Sequence, residues 1–145
     1  MGRQGFYPLE SHYFFFYGTL CRRGSNHKKY AYDALTIQEA RTLGELYRLP
    51  QGYPVLLPAS TGYVYGEVMT FPDPRKTLER LDELEEYNEK DPEGSYYLRV
   101  LKEVEILATG EHLQAWCYLF PESRRRELEK IAVRLPTGYW DPAEL

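Results

Sequence analysis

The chain has 145 residues, of which 43% are hydrophobic and 28% charged, and its net charge is -4 at pH 7. This size and balance predict one folded domain over residues 1–145 with a packed core. The mild negative charge argues against a nucleic-acid or anionic-membrane partner, which would favour a basic face. The longest apolar run, residues 13–17, is too short to span a bilayer.

Residues 1–11 are polar, contain Gly and Pro, and lack an apolar signal-peptide core, so we expect a flexible N-terminal segment. Cys21 and Cys117 are far apart and are interpreted as reduced thiols, which predicts a cytoplasmic protein. The three histidines are scattered along the chain: His12, His27 and His112. No pair has the spacing of metal ligands, and no phosphate-binding glycine loop is present, so the sequence predicts no metal and no cofactor. It carries no signal for an oligomeric state.

Apolar periodicity, turn residues and helix-start signals divide the rest of the chain into about six strands and two or three helices. The predicted elements, in chain order, are a strand over 13–17, a short helix within 27–35, strands over 41–49, 54–58 and 63–71, a helix over 75–87, strands over 96–107 and 113–120, and a helix over 122–134. Gly44 inside the second strand indicates a bulge or a close backbone approach. Strands occur both in runs and as a hairpin, which predicts an α+β fold with a mixed or closed sheet.

The helix over 75–87 carries one acidic residue on its apolar face. Leu78, Leu81 and Leu84 define that face, and Glu85 lies roughly 40° from Leu81 at 100° per residue. A carboxyl group in this position loses hydration, which raises its pKa and suits it to exchange protons near neutrality. The alternative is a glutamate at the edge of the face, turned to solvent or paired with Arg99.

The segment Tyr17-Gly18-Thr19-Leu20 follows the first buried strand. Glycine adopts backbone angles that are closed to other residues, so Gly18 allows successive N–H groups to point to one spot. Such a group of amides binds an anion, for example a substrate carboxylate, without a charged side chain. The alternative is an ordinary turn after a strand.

Three blocks resemble, in the same order, the motifs of the gamma-glutamylcyclotransferase-like family. The first is Tyr17-Gly18-Thr19-Leu20, followed by Arg23-Gly24 and Asn26-His27, which is most similar to the gamma-glutamylamine cyclotransferase branch. The second, Leu81-Asp82-Glu83-Leu84-Glu85, resembles the family's Leu-Asp-x-x-Glu, and the third, Tyr97-Leu98-Arg99, resembles its Tyr-x-Arg strand. The resemblance extends over nearly the whole chain.

This resemblance implies a small mixed β-barrel flanked by helices, with a cavity at one end. It also implies the cyclisation of a γ-glutamyl group to 5-oxoproline with release of an amine, and Glu85 as the catalytic acid and base. The amides of Gly18, Thr19 and Leu20 would hold the substrate carboxylate, and Tyr17 and Tyr97 would line the pocket. The expected partner is a small γ-glutamyl substrate. The alternative is a non-catalytic module that keeps this pocket to bind a γ-glutamyl or amino-acid ligand.

The chain departs from the family pattern near the predicted pocket mouth. Cys21 stands where members of the amine-releasing branch tend to carry lysine, and the glycine of Arg23-Gly24 is shifted by one position. Residues 88–95 form a longer and more acidic segment than the resemblance predicts. The identity of the released amine therefore stays open.

Overall fold

The computed structural model describes residues 9–141. The elements, in chain order, are β1 (Phe14–Phe16), α1 (His27–Tyr30), β2 (Thr36–Leu43), β3 (Glu45–Arg48), β4 (Pro54–Leu57), β5 (Tyr63–Thr70), α2 (Pro74–Leu84), β6 (Leu98–Ile106), β7 (His112–Leu119), α3 (Arg125–Ile131) and β8 (Val133–Arg134). Single 3-10 turns precede β6 at Pro92–Gly94 and α3 at Glu122–Arg124. The predicted α+β fold with a closed mixed sheet is confirmed.

Five strands form a closed barrel in the order β1-β5-β2-β6-β7. Neighbouring strands are antiparallel except β1 and β7, which close the barrel as a parallel pair at Phe14 and Trp116. The other three strands form a small sheet in the order β4-β3-β8. Because the barrel is closed, its five strands leave no unpaired edge.

Gly44 separates the barrel from the small sheet. The single strand predicted over 41–49 is in fact two strands, β2 and β3, with Gly44 between them. A Cβ atom at Gly44 would lie 3.0 Å from the carbonyl oxygen of Leu57, so the predicted close approach is confirmed. The helix predicted within 27–35 ends at Tyr30, because β2 begins at Thr36 and pairs with β5 along its full length.

The aromatic residues of β1 serve two cores, as the prediction of a strand buried on both faces requires. Phe15 points into the barrel, where it packs with Val64 and Val68. Phe14 and Phe16 point outward and belong to a second cluster that contains the buried residues of α2. Residues on alternate faces of a strand thus fix the barrel and its covering helix together.

The last predicted helix is shorter than expected. Residues 122–134 contain a 3-10 turn, α3 and then β8, which pairs with β3. Leu128 is buried, but Ile131 is 60% exposed and Leu135 packs on the barrel beyond the end of the helix. The helix predicted over 122–134 is therefore wrong before Arg125 and beyond Ile131. The open edge of β3 accounts for this, because the chain pairs with it at β8 instead of continuing α3.

Both ends of the described chain are tied to the barrel. Of the predicted N-terminal segment 1–11, residues 1–8 lie outside the described residues. Ser11 is buried, and its hydroxyl donates to the carbonyl oxygen of Gln114 at 2.6 Å. Trp140 is 3% exposed within the barrel cluster, and its Nε1 donates to the carbonyl oxygen of Gly52 at 2.7 Å.

Candidate active site

Helix α2 ends so that Glu85 is held at its last turn. Asp73 caps its start by accepting the N–H of Lys76 at 3.2 Å, and Pro74 occupies the first turn. The helix ends at Leu84, three residues before the predicted end, and Glu85 is the C-cap residue.

The helix closes in a Schellman arrangement. The N–H of Tyr87 donates to the carbonyl oxygen of Asp82 at 2.9 Å, and that of Glu86 to Glu83 at 3.3 Å. Glu86 takes the left-handed position, with φ 54°, which glycine usually occupies. The backbone on both sides of Glu85 is therefore fixed.

The Glu85 carboxyl group is partly buried in the wall of a cavity. Burial, and secondarily the charge of Glu86, raises its pKa to about 7. Among residues 9–141, no ion pair or side-chain hydrogen bond engages this carboxyl group. The pairing with Arg99 that was the alternative from sequence is absent there, because Arg99 binds Asp82 and Glu89 instead. A carboxyl group in this state is able to accept and return a proton near neutral pH.

The cavity has a volume of about 260 Å³ and lies beside the end of β1. The structure brings all six predicted site residues into its wall: Tyr17, Gly18, Thr19, Leu20, Glu85 and Tyr97. The loop that follows β1, the C-cap of α2 and the residue before β6 supply these side chains and amides. Elements distant in sequence therefore converge on one small space that contains one carboxyl group.

The loop amides at Gly18, Thr19 and Leu20 are not used by the fold. None of the hydrogen bonds between described residues has these N–H groups as donors, whereas the next amide, Cys21, donates to Gly18 at 3.0 Å. The predicted special backbone angle at Gly18 is wrong, because its φ is not positive. The glycine is required for space instead, since a Cβ atom there would lie 2.7 Å from Pro54 Cγ.

The second part of the sequence motif holds this loop in place. Asn26 binds Thr19 twice, from its side-chain Nδ2 to Thr19 Oγ1 and from its backbone N–H to the Thr19 carbonyl, both at 2.9 Å. His27 Nδ1 lies 3.0 Å from the carbonyl oxygen of Leu20. Gly24 packs directly on Thr19. These contacts explain why Gly24 and Asn26-His27 accompany the loop residues in the motif.

The two predicted tyrosines contribute in different ways. The Tyr17 hydroxyl donates to the carbonyl oxygen of Tyr118 at 2.7 Å and accepts the N–H of Leu56 at 3.3 Å, so only its ring is available to a ligand. No hydrogen bond between described residues uses the Tyr97 hydroxyl. Burial, then the charge of Glu85, raises the pKa of Tyr97. Tyr97 therefore stays protonated beside the glutamate.

Sequence reasoning missed Tyr118, which lines the same cavity. Its hydroxyl donates to Asp82 Oδ1 at 2.5 Å, and Asp82 Oδ2 is bound by Arg99. The Arg99 guanidinium lies 5.1 Å from the ring centres of both Tyr87 and Trp116. The sequence offered Arg99 as a partner of Glu85 and quoted Asp82 as part of a motif, but no local pattern indicated that Asp82 and Arg99 meet.

Other wall residues were not named as site residues from the sequence either. They are Phe15, Phe16, Asn26, Tyr53, Pro54 and Leu84. Residues 9–141 contain no helix with the length and hydropathy to cross a bilayer, and no group of three potential metal ligands.

Cys21 is not among the residues that line this cavity. Its Sγ donates to the carbonyl oxygen of Phe16 at 3.3 Å, and burial raises the pKa of the thiol. A thiol with a raised pKa is a poor nucleophile because little of it is ionised. Among the described residues, those that line this cavity include Glu85 and no cysteine.

The fold and the cavity define a small barrel protein with one carboxyl group beside unused amides, and comparison places it in a family. Residues 14–142 match the family described as gamma-glutamyl cyclotransferase, AIG2-like. A gamma-L-glutamyl-butirosin B gamma-glutamyl cyclotransferase from Niallia circulans is 34% identical over 118 residues, which are 78% of this chain and 72% of that protein. The chain belongs to the gamma-glutamyl cyclotransferase, AIG2-like family, and the resemblance found in the sequence is confirmed.

Solved structures share the fold at lower identity. An AIG2-like protein from Mus musculus aligns with a TM-score of 0.64 at 23% identity, over 90% of this chain and 88% of that one. PH0828 from Pyrococcus horikoshii aligns with a TM-score of 0.59 at 21% identity, over 92% of each chain. YkqA from Bacillus subtilis aligns with a TM-score of 0.62 at 23% identity over 89% of this chain. The aligned part is only 39% of YkqA.

Proposed function

We propose that this protein cyclises the γ-glutamyl group of a γ-glutamyl amine or peptide to 5-oxoproline and releases the amine. The observation that carries the proposal is the position of Glu85, with a pKa of about 7, in one cavity with the loop amides of Gly18, Thr19 and Leu20. Membership of the family supports the same reaction class.

In the proposed reaction the substrate's own α-amine is the nucleophile. The Glu85 carboxylate takes a proton from the α-ammonium, and the neutral amine attacks the γ-carbonyl carbon, forming the new C–N bond. Glu85 then gives this proton to the leaving nitrogen, the original C–N bond breaks, and the amine departs. The ring nitrogen loses its second proton through Glu85, so that 5-oxoproline and a protonated amine are the products. A group whose pKa is about 7 performs both transfers near neutral pH.

Positioning supplies much of the proposed rate acceleration. The unused amides of Gly18 to Leu20 would hold the α-carboxylate, since backbone N–H groups aimed at one point form an anion site. The rings of Tyr17 and Tyr97 would confine the carbon chain so that the amine meets the γ-carbonyl. A well-oriented intramolecular attack reaches effective molarities of roughly 10⁵–10⁸ M.

The released amine is the less defined part of the proposal. By its name, the relative from Niallia circulans acts on gamma-L-glutamyl-butirosin B. For this chain we propose only that the substrate carries a γ-glutamyl group.

Both cysteines are free thiols, which supports the proposed cytoplasmic location.

The test is to incubate the protein with γ-glutamyl dipeptides, γ-glutamyl-ε-lysine and glutathione and to measure 5-oxoproline. We expect turnover of at least one substrate and a loss of roughly 10³-fold or more in Glu85→Gln, because general acid–base groups contribute about 10²–10⁴-fold. Glu83→Gln is the matched control, since Glu83 lies on the same helix but is exposed. Saturable binding without turnover in the wild type would contradict the enzyme and favour a binding module.

A further inference from the structure

We propose that Tyr118 is a second binding residue for the substrate, whose hydroxyl oxygen accepts a hydrogen bond from the α-ammonium beside Glu85. This inference rests on the proposed function, because it concerns the same cavity and the same γ-glutamyl group. Tyr118 and Glu85 both line that cavity. The two residues also interact electrostatically, since the charge of Glu85 contributes to raising the pKa of Tyr118.

The hydrogen bond to Asp82 determines whether the Tyr118 hydroxyl can still donate a hydrogen bond or can only accept one. Burial raises the pKa of Asp82, whereas the hydrogen bond from Tyr118 and the charge of Arg99 lower it. Arg99 binds the other oxygen of Asp82, and this ion pair favours the ionised carboxylate. An ionised carboxylate only accepts hydrogen bonds, so the Tyr118 O–H must be the donor in the 2.5 Å contact. A phenol has one proton to donate. Any further partner of this oxygen must therefore be a donor, and a substrate ammonium is such a partner.

The same network keeps the acceptor uncharged. The charges of Asp82 and Arg99 cancel, and burial followed by the bond to Asp82 raises the pKa of Tyr118, so the phenol stays neutral. A second carboxylate beside Glu85 would raise the Glu85 pKa further by like-charge repulsion. A neutral oxygen binds the ammonium without this effect. In this proposal the Tyr118 phenol only binds the ammonium, and Glu85 is the group that transfers the proton.

The Tyr118 oxygen is also held rigidly. The backbone carbonyl of Tyr118 accepts the Tyr17 hydroxyl, and its side chain is packed against the buried residues of α2. Asp82 lies one helical turn before Glu85, so the bond from Tyr118 ties β7 to the turn that carries the glutamate. Two acceptors in a fixed relation orient the N–H groups of the amine, which leaves its lone pair to face the γ-carbonyl after deprotonation.

The experiment compares Tyr118→Phe with the wild type for two ligands. One is a γ-glutamyl dipeptide, and the other is its desamino analogue, the corresponding glutaryl amide, which lacks the α-ammonium and acts as an inhibitor. We expect the dipeptide KM to rise about tenfold, since a hydrogen bond to a charged group contributes about 1.5 kcal/mol. The inhibition constant of the glutaryl amide should change less than twofold. Tyr47→Phe is the control, because Tyr47 is a buried tyrosine outside this cavity whose hydroxyl lies 3.5 Å from Glu129.

Equal weakening of both ligands, or of neither, would overturn the inference, because a purely structural role does not distinguish the two. If Tyr118→Phe does not fold, 3-fluorotyrosine at position 118 replaces it. Fluorination strengthens the O–H donor to Asp82 but weakens the oxygen as an acceptor, so the inference requires weaker dipeptide binding, and unchanged binding contradicts it.

Failure of the proposed function is distinguished by calorimetric binding of the same ligands. A wild type that binds the dipeptide without turnover would contradict the enzyme, while the selective loss in Tyr118→Phe would still support the ammonium contact.

Discussion

Gly24 lies on the backbone of Thr19 so closely that a Cβ atom at position 24 would stand 2.2 Å from the Thr19 carbonyl oxygen. Asn26 binds the same residue through its side chain and its backbone. The segment after the loop therefore folds back as a support for the amides that we propose bind the substrate carboxylate. Its glycine is required for close packing and has no positive φ.

Gly24→Ala should reduce activity at least tenfold. The contact is with backbone atoms, so the loop itself must move, and overpacking of this kind costs about 1–3 kcal/mol of stability. The measurements are kcat/KM for 5-oxoproline release and the thermal midpoint. Gly110→Ala is the control, because Gly110 has φ 74° and nothing within 4 Å of its Cβ position. That control should lose stability and keep activity, and equal activity losses in both variants would contradict the prediction.

The rate of 5-oxoproline formation should fall on the acid side with an apparent pKa near 7. Glu85 must be ionised to take the first proton, and burial raises its pKa to about 7. Activity should therefore be lost as the pH drops from about 8 to 6. The measurement is kcat/KM across this range with a substrate whose own groups do not titrate there. An acid limb near the usual glutamate value of about 4.3 would show that the carboxyl group is well hydrated.

Glu85→Gln should make the protein more stable at pH 8 but not at pH 4. The folded-state pKa of Glu85 is raised, so the folded protein holds this proton more tightly than the unfolded chain. Glu85 therefore contributes fully to the stability of the fold below the usual glutamate pKa, and this contribution is lost as the pH rises to about 7. A glutamine at this position does not titrate, so its contribution does not change with pH. Thermal midpoints should differ by roughly 3 °C or more at pH 8 and converge at pH 4, whereas a constant difference would contradict the prediction.

Glu86→Gly should stabilise the fold and shift the acid limb of activity downward. Glu86 occupies a left-handed position with φ 54°, which costs a non-glycine residue roughly 1 kcal/mol. Removing its charge also removes one of the two causes of the raised Glu85 pKa. Glu86→Gln separates the effects, because it removes the charge and keeps the backbone cost. The prediction fails if the glycine variant melts lower or if neither variant shifts the pH profile.

Local periodicity in the sequence predicted much of the candidate site. The spacing of Leu78 and Leu81 placed Glu85 on the inward face of a helix, and the structure places it in the cavity wall. This worked because helical phase depends only on neighbours along the chain. The motif order likewise placed the loop at Gly18 and Tyr97, the residue before β6, in the same site.

Contacts between segments that are distant in sequence could not be predicted from local patterns. The bond from Tyr118 to Asp82 depends on how β7 lies against α2, and the space required at Gly18 depends on Pro54. Neither relation leaves a periodic pattern. The switch from α3 to β8 was missed for the same reason, because the open edge of β3 is created by tertiary structure.

The indole of Trp140 fills the barrel interior and holds the carbonyl of Gly52, next to Tyr53 and Pro54 in the cavity wall. Trp140 thus supports a part of the wall that is distant from it in sequence. A chain truncated before position 140 would lack both the buried ring and the bond to that turn, and we expect the cavity wall to lose this support.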